Sequence, residues 1–163
     1  MKYPGRNDTI QDGKDYLRKK FDAPGSGTPC PCCGQNVKLV PRKLSREMVK
    51  WLIFLVREHE TTSDWVNMRK MYNTQRGDYA YLKHWNLCEQ DKDNPDPTKT
   101  RSGFWRPTYK GIDFVYGRTR IPSHALVFDK KCYGFREETM WNIGDALGEF
   151  FDIRELRKAS NEI

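Results

Sequence analysis

The feature that most constrains the fold of this chain is a run of apolar residues between Ser45 and His59. Ser45 suits a helix N-cap, and Glu47 suits the first turn, near the positive end of the helix dipole. Apolar side chains then surround nearly the whole circumference of the helix: Met48, Val49, Trp51, Leu52, Ile53, Phe54, Leu55 and Val56. Such a helix must be covered by other elements or by a second subunit. The sequence therefore predicts a central core helix over residues 45–59.

The same apolar run is too short for a membrane span. Residues 51–56 fall far below the roughly 20 residues that cross a bilayer, which excludes an integral membrane protein. Met1-Lys-Tyr-Pro leads into polar residues without the apolar stretch of a secretory signal. The five cysteines are an odd number, which favours free thiols or a metal over a disulfide framework. We expect a cytoplasmic location and one compact domain with appendages.

The positive charge is unevenly distributed along the chain. Lys and Arg number 29 against 22 Asp and Glu, so the formal net charge is +7. Residues 1–120 hold 23 basic and 14 acidic side chains, whereas residues 121–163 hold 6 and 8. A basic body indicates a surface for a polyanion, and an acidic end suggests packing or association.

The segment before the central helix is predicted to hold one helix and one short strand. Apolar residues at loosely helical spacing indicate the helix over 9–21, and the turn formers of 22–29 follow it as a linker. Residues 37–40 suit a strand that Pro41 ends.

Two further helices are predicted after the central one. The first of them begins at Ser63 or Asp64. Asp78 caps the next one, in which the inward-facing residues recur every three positions: Tyr79, Leu82 and Trp85.

A strand at 87–89, a polar segment at 91–103 and a returning strand at 104–107 follow these helices. A strand, a charged loop and a returning strand after a three-helix unit form a β-wing. Thr108 then caps another helix, which ends at Gly117.

The rest of the chain is predicted to contain a hairpin and two helices. Residues 124–128 and 132–135 form the hairpin, because a short turn sequence joins them. A helix covers 137–147, and Asp152 begins a last short one.

Residues 79–114 carry a pattern that combines these elements. It reads Tyr79-x-x-Leu82-x-x-Trp85-x-Leu87-x-Glu89, then the polar loop, then Gly103-x-Trp105-x-x-Thr108-x-x-Gly111-x-x-Phe114. The pattern resembles the recognition helix, the wing and the following helix start of winged helix-turn-helix domains of the MarR/PadR type. This resemblance covers about residues 45–117.

The resemblance implies an α+β fold with a winged helix-turn-helix core over 45–117. Outside the resemblance, the sequence patterns predict an N-terminal helix, a linker and a cysteine knuckle in residues 1–44. They predict a β-hairpin and helices in residues 118–163, which we expect to serve association. The whole chain also resembles small phage and prophage proteins that share its "CPCCGQ", "LKHWNL" and "SGFWRPTYKG" segments, which implies an origin in a phage or mobile element.

In a winged domain, the third helix lies in the major groove and the wing reaches the neighbouring backbone. The candidate DNA-binding residues are Arg76, Tyr81, Lys83 and His84 from the helix and its preceding turn, and Lys92, Lys99, Arg101 and Arg106 from the wing. Arg76 and Lys83 are the candidates for base edges, because Arg and Lys pair with guanine. We therefore expect a regulator of transcription, or a related factor, that binds double-stranded DNA, with a homodimer as a candidate assembly.

Three aspartates of the same wing support a different partner. Asp91, Asp93 and Asp96 cancel three of its positive charges. The alternative is a winged domain that binds a host or phage protein, with residues 118–163 as the docking surface.

The Cys30-Pro-Cys-Cys33-Gly segment has the spacing of half a zinc knuckle. Two thiolates on a tight turn supply two ligands, whereas a complete structural zinc site needs four. The others could come from the knuckle of a second protomer or from the remaining thiols and imidazoles: Cys32, Cys88, Cys132, His84 and His124. Two interpretations without a metal remain open: a turn whose thiols have no chemical role, and a redox-active dithiol.

The sequence contains no recognisable catalytic motif. Its three histidines are dispersed, and it has no GxSxG, no HExxH and no glycine-rich phosphate loop. We therefore predict that the protein is not an enzyme.

Overall fold

The computed structural model of this chain describes residues 2–21, 27–71, 77–93 and 102–154. It is a mixed α+β structure with several small antiparallel sheets. The chain divides into two compact units. The first comprises Met1–Arg42 and His124–Arg136, and the second comprises Lys43–Ser123 and Glu137–Ile163.

The N-terminal helix of the first unit, α1, spans Ile10–Phe21 and confirms the predicted helix. Thr9 and Asp12 cap it reciprocally. The backbone N–H of Thr9 donates to the Asp12 carboxylate at 2.8 Å, and the N–H of Asp12 donates to the Thr9 hydroxyl at 3.1 Å. The buried end of α1 packs against the hairpin strands, because the Phe21 ring lies 4.8 Å from that of Phe128.

Two short strands follow, β1 at Thr28–Pro29 and β2 at Asn36–Val37, and they pair antiparallel. Strand β3 covers Val40–Lys43. The expectation that Pro41 ends a strand is therefore wrong. β3 lies at the edge of its sheet, in the order β3-β7-β8, and an edge strand tolerates a residue without an N–H donor.

The predicted hairpin is confirmed and is longer than expected. Strand β7 spans Ile121–Phe128 and β8 spans Lys131–Trp141. Both turn residues between them are left-handed, with φ of 45° at Asp129 and 64° at Lys130. Two left-handed residues make the tight turn whose twist matches that of paired strands.

The predicted helix over 137–147 is wrong in its first half. Strand β8 continues to Trp141, and helix α5 covers only Ile143–Leu147 behind a capping box formed by Asn142 and Asp145. Strand pairing along the hairpin outweighs the weak helical spacing of these residues.

Helix α2 of the second unit spans Arg46–Thr62, and the Ser45 side chain accepts a hydrogen bond from the N–H of Met48. The predicted core helix and its N-cap are confirmed. Seven of its side chains are buried around the circumference: Met48, Val49, Trp51, Leu52, Ile53, Leu55 and Val56. The helix ends at Ser63, which is left-handed with φ of 55°.

The prediction that the next helix begins at Ser63 or Asp64 is wrong. Ser63 closes α2, strand β4 covers Val66–Asn67, and helix α3 covers Met68–Met71. Val66 pairs with Trp105 on a later strand. A strand of two residues leaves no periodic signal in the sequence, so only this distant partner defines it.

The helix predicted from Asp78 is present as a 3₁₀ helix, η1, over Gly77–Trp85. Its buried residues Leu82 and Trp85 are three positions apart, and a 3₁₀ helix has three residues per turn. The spacing that predicted an inward face is therefore the period of this helix type.

Strands β5 at Cys88–Gln90 and β6 at Phe104–Pro107 complete a sheet in the order β4-β6-β5. Neighbouring strands are antiparallel. The N–H of Asp91 donates to the carbonyl of Phe104 at 3.0 Å, and the Ser102 hydroxyl donates to the carbonyl of Asp91 at 3.0 Å. These bonds close the base of the β5–β6 connection.

Helix α4 spans Tyr109–Val115, and Thr108 caps it as predicted. The Thr108 hydroxyl accepts from the N–H of Gly111 at 3.0 Å and donates to the carbonyl of Asn86 at 2.6 Å. A Cβ atom at Gly111 would lie 1.9 Å from the Leu87 carbonyl oxygen. Thr108 and Gly111 therefore hold the start of α4 in close contact with the backbone at the end of η1.

Candidate nucleic-acid interface

A cluster of aromatic rings holds η1 and β6 against α2. The Trp51 and Tyr79 rings stack at 4.6 Å with an interplanar angle of 9°, and Trp105 meets the Trp51 ring edge-on at 5.4 Å. Offset and edge-on pairs of this kind stabilise by about 1 kcal/mol beyond their buried area. The cluster therefore fixes the backbone that carries the candidate residues of η1 and β6.

Lys83 is exposed on η1, and its Nζ lies 5.4 Å from the centre of the Trp105 ring. A cation at this distance from an indole face is attracted by the ring quadrupole. The aromatic cluster thus orients the Lys83 ammonium while leaving it open to solvent.

Arg69 on α3 is a second exposed cation of the second unit, and sequence reasoning did not single it out. Its side chain lies beside Gly103, because a Cβ atom there would be 2.9 Å from the Arg69 Cδ. Arg69 therefore contacts the chain at Gly103, and Lys83 contacts it at Trp105, two residues further on. The residues around Arg69 form no motif, and only the pairing of β4 with β6 reveals this placement.

Lys92 is also exposed, at the start of the β5–β6 connection. The carboxylate of the adjacent Asp91 accepts the N–H of Asp93 at 3.0 Å. Within the described ranges, no carboxylate forms an ion pair with Arg69, Lys83 or Lys92. Among the described residues, Arg69 and Lys83 therefore carry charge that no carboxylate pairs, whereas Lys92 lies between Asp91 and Asp93 in the sequence.

Arg106 is engaged on both sides of its guanidinium. It forms an ion pair with Glu89, its partner in the β5–β6 register, and it lies 4.4 Å from the centre of the Trp65 ring. Exposed ion pairs of this kind contribute at most about 1 kcal/mol. A phosphate could therefore compete with Glu89 for Arg106. The predicted contact would require the guanidinium to leave that carboxylate.

Tyr81 and His84 are half-buried, with their ring centres 5.6 Å apart. Burial, together with the charge of Lys83, lowers the pKa of His84 below its ordinary value of 6.5. At neutral pH the imidazole is uncharged, so it can form a hydrogen bond to a phosphate but does not add to the positive potential. Arg76, Lys99, Arg101 and the acidic Asp96 lie outside the described residues.

The candidate metal ligands Cys30 and Cys33 lie on the hairpin loop between β1 and β2 in the first unit. The N–H of Cys30 donates to the carbonyl of Gln35 at 2.7 Å, and the N–H of Gly34 donates to the carbonyl of Cys30 at 2.8 Å. Gly34 is left-handed, with φ of 74°. These bonds close a tight loop that brings its backbone amides toward the first thiol.

The backbone amides of this loop favour a thiolate. Hydrogen bonds from the N–H groups of Cys32 and Cys33 lower the pKa of Cys30. Burial and the neighbouring charge of Cys30 raise the pKa of Cys32, whose Sγ lies 3.0 Å from where a Cβ atom of Gly13 would be. Gly13 in α1 thus leaves room for the Cys32 side chain, which is nevertheless exposed to solvent.

In the part of the chain that the structure describes, no group of three or more His, Cys, Asp or Glu side chains is arranged to hold a metal ion. None of the helices in the same ranges is long and apolar enough to cross a membrane. No protein-family model, curated protein or solved structure matches the chain.

Proposed function

We propose that the second unit of this chain is a winged helix-turn-helix module that binds double-stranded DNA without catalysing a reaction, in a regulatory or related DNA transaction. The bound surface is that of Arg69, Lys83 and Lys92, which we call the cationic surface. The observation that carries the proposal is that Arg69 lies beside Gly103 and Lys83 lies over the Trp105 ring, neither with an ion-pair partner among the described residues.

The order of elements supports the winged-helix part of the proposal. Helix α2 is followed by β4, α3, η1, β5 and β6, and the sheet order is β4-β6-β5. A winged module needs a strand after its first helix that pairs with the returning strand of the wing. The pairing of β4 with β6 meets this requirement. The sequence pattern that suggested a winged domain covers residues 79–114 and does not include β4.

The charges support the DNA part of the proposal. Cations without close counter-charges bind phosphate at a smaller cost than cations that must first leave a carboxylate. Lys83 is oriented by the Trp105 ring, so it loses less side-chain freedom when it meets a phosphate. Asp91 and Asp93 flank Lys92 in the sequence, so in this proposal Arg69 of α3 and Lys83 of η1 make the main contact.

A salt titration of binding to a random-sequence duplex tests the proposal. We expect measurable binding at low salt and a logarithmic affinity that falls linearly with the logarithm of salt concentration. The double variant Arg69→Ala with Lys83→Ala removes two phosphate contacts, so the slope should become shallower by about 2. Fluorescence anisotropy of a labelled duplex measures both quantities.

A double variant with the same loss of charge provides the control. Lys50 on α2 and Lys110 on α4 are exposed, and changing both to Ala should leave the slope within about 0.5 of the original value. Absence of binding at low salt would refute the proposal. An unchanged slope in the Arg69/Lys83 variant would refute the assigned surface.

A protein partner is the second candidate, and two exposed aromatic side chains favour it. Tyr109 at the start of α4 is 91% exposed, and Phe150 after α5 is 86% exposed. Rings of this kind are frequent anchors of protein interfaces. If Tyr109→Ser and Phe150→Ser abolish capture of a protein while the Arg69/Lys83 variant retains it, the protein-binding candidate replaces DNA binding.

A further inference from the structure

The loop between β1 and β2 holds three cysteines among residues 30–33. The thiol of Cys30 forms side-chain hydrogen bonds with those of Cys32 and Cys33, so the three sulfur atoms lie close together. All three are free thiols. Cys32 and Cys33 are exposed, and Cys30 is half-buried. The loop is therefore a cluster of thiols that a small molecule in solution can reach.

The backbone of this loop forms a single helical turn. The N–H of Gly34 donates to the carbonyl of Cys30 at 2.8 Å, which is the hydrogen bond of one turn of α-helix. Pro31 suits the first position of such a turn, because its ring fixes φ at about −65°. The left-handed Gly34 ends the turn, with φ of 74°. The N–H of Cys30 donates to the carbonyl of Gln35 at 2.7 Å, which ties the turn to the paired strands.

A helical turn has the spacing that a disulfide between Cys30 and Cys33 requires. Cα atoms three positions apart in an α-helix are separated by about 5 Å, and disulfides join Cα atoms about 4.4–6.8 Å apart. Residues three positions apart also lie on one face of a turn, whereas residues one or two positions apart do not. The backbone therefore favours a bond from Cys30 to Cys33 over one to Cys32, although both sulfurs contact that of Cys30.

We propose that Cys30 and Cys33 are a reversible dithiol–disulfide pair that exchanges with low-molecular-weight disulfides such as oxidised glutathione. The thiolate of the exposed Cys33 attacks one sulfur of the oxidant, a mixed disulfide forms, and one glutathione thiolate leaves. The thiolate of Cys30 then attacks the Cys33 sulfur, which forms the internal disulfide and releases the second glutathione thiolate. The two cysteines together lose two electrons and two protons, and the oxidant gains them as two molecules of glutathione.

The closed loop favours the second of these steps. Because one turn holds both thiols, the attack of Cys30 on Cys33 is intramolecular and has a high effective concentration compared with a second external thiol. Cys32 is not consumed in the cycle. The pair belongs to the first unit, whereas the cationic surface belongs to the second. The inference therefore goes beyond DNA binding and does not depend on it.

Equilibration of the full chain in glutathione buffers of increasing oxidised fraction tests this proposal, with a chelator present throughout. Acid stops the exchange, and alkylation followed by mass spectrometry counts the thiols that remain. We expect two of the five thiols to disappear together, with the loss of two hydrogen atoms from the mass of the chain. Dithiothreitol should restore all five.

Substitutions identify the pair. Cys30→Ser should accumulate glutathione on Cys33, because the thiol that resolves the mixed disulfide is absent. Cys33→Ser should not lose two thiols together, whereas Cys32→Ser should behave as the unchanged chain does.

Cys132→Ser provides the control, because the thiol of Cys132 donates to the carbonyl of Gly134 at 3.3 Å on the hairpin. It should retain the paired loss of two thiols. Circular dichroism verifies that each variant is folded, and the titration of the unchanged chain does not depend on any variant.

Three results would overturn the proposal. The first is a chain whose five thiols all stay reduced in an excess of oxidised glutathione. The second is loss of the paired oxidation in Cys32→Ser, which would assign the bond to Cys32. The third is glutathione that stays attached to the unchanged chain, which would show that the two sulfurs do not meet. The salt dependence of duplex binding is measured separately, so failure of this proposal and failure of the proposed function can be distinguished.

Discussion

At the scale of single residues, Gly111 is the position where the fold depends most directly on the absence of a side chain. A Cβ atom there would lie 1.9 Å from a backbone carbonyl oxygen, which cannot move away as a flexible side chain would. We expect Gly111→Ala to lower the free energy of unfolding by about 3 kcal/mol, near the upper end of overpacking effects. Urea denaturation followed by circular dichroism measures this loss.

The neighbouring Lys110 provides the matched comparison. It is exposed on the same helix, so Lys110→Ala should change the free energy of unfolding by less than about 0.5 kcal/mol. If both variants were equally stable, the close approach of α4 to Leu87 would be disproved.

The buried thiol of Cys88 makes the stability depend on pH. Burial raises the pKa of Cys88 from an ordinary value of 9.0 to about 12. Between these values the unfolded chain loses the thiol proton and the folded chain keeps it, so this contribution to stability is lost as pH rises. The slope is at most about 1.4 kcal/mol per pH unit.

We expect the unchanged protein to lose more stability than Cys88→Ala when the pH is raised from 8 to 10. Comparison of the two chains isolates the thiol, because the lysines and tyrosines titrate in both. Urea midpoints at the two pH values provide the measurement. Parallel loss of stability in both chains would show that Cys88 ionises normally.

At the scale of elements, the β7–β8 hairpin carries strain that one substitution can relieve. Lys130 is left-handed with φ of 64°, a conformation that disfavours residues with a Cβ atom by about 1–2 kcal/mol. Glycine adopts it freely but has more freedom to lose on folding, so we expect Lys130→Gly to stabilise by about 0.5 kcal/mol. Lys130→Ala retains the Cβ atom and should give no such gain in thermal unfolding. A lower melting temperature for Lys130→Gly would contradict the turn geometry.

The elements that could be predicted from the sequence are those specified by local chemistry. Ser45 and Thr108 marked two helix starts correctly, since a cap needs only its own few residues. Strand β4 and the end of β8 could not be predicted, because their pairing depends on residues far along the chain. The spacing of three residues in η1 predicted a helix correctly but not that it is a 3₁₀ helix. An α-helix also presents one face at spacings of three and four residues, so the spacing alone does not distinguish the two types.

At the scale of the whole molecule, the net charge of +7 is a poor guide to where the candidate site lies. Several of the described cations form ion pairs with carboxylates, among them Arg18, Arg46, Arg118 and Arg120. Of the candidate residues, the sequence pattern identified Lys83 and Lys92 but not Arg69. The sequence gives the number of charged residues, whereas a binding site depends on which charged side chains remain without an ion-pair partner after folding.

The bonds that close the base of the β5–β6 connection also bear on how proteins of this kind can diverge. Asp91 and Ser102 tie the two strands together before the connection begins, and Cys88 pairs with Pro107 at the other end. The strand register is therefore set without any contribution from the length of the segment between them. Doubling that length would cost only about 0.6 kcal/mol in closure entropy. Insertions and deletions can accumulate there over evolutionary time, altering the reach of the segment while the scaffold beneath it stays the same.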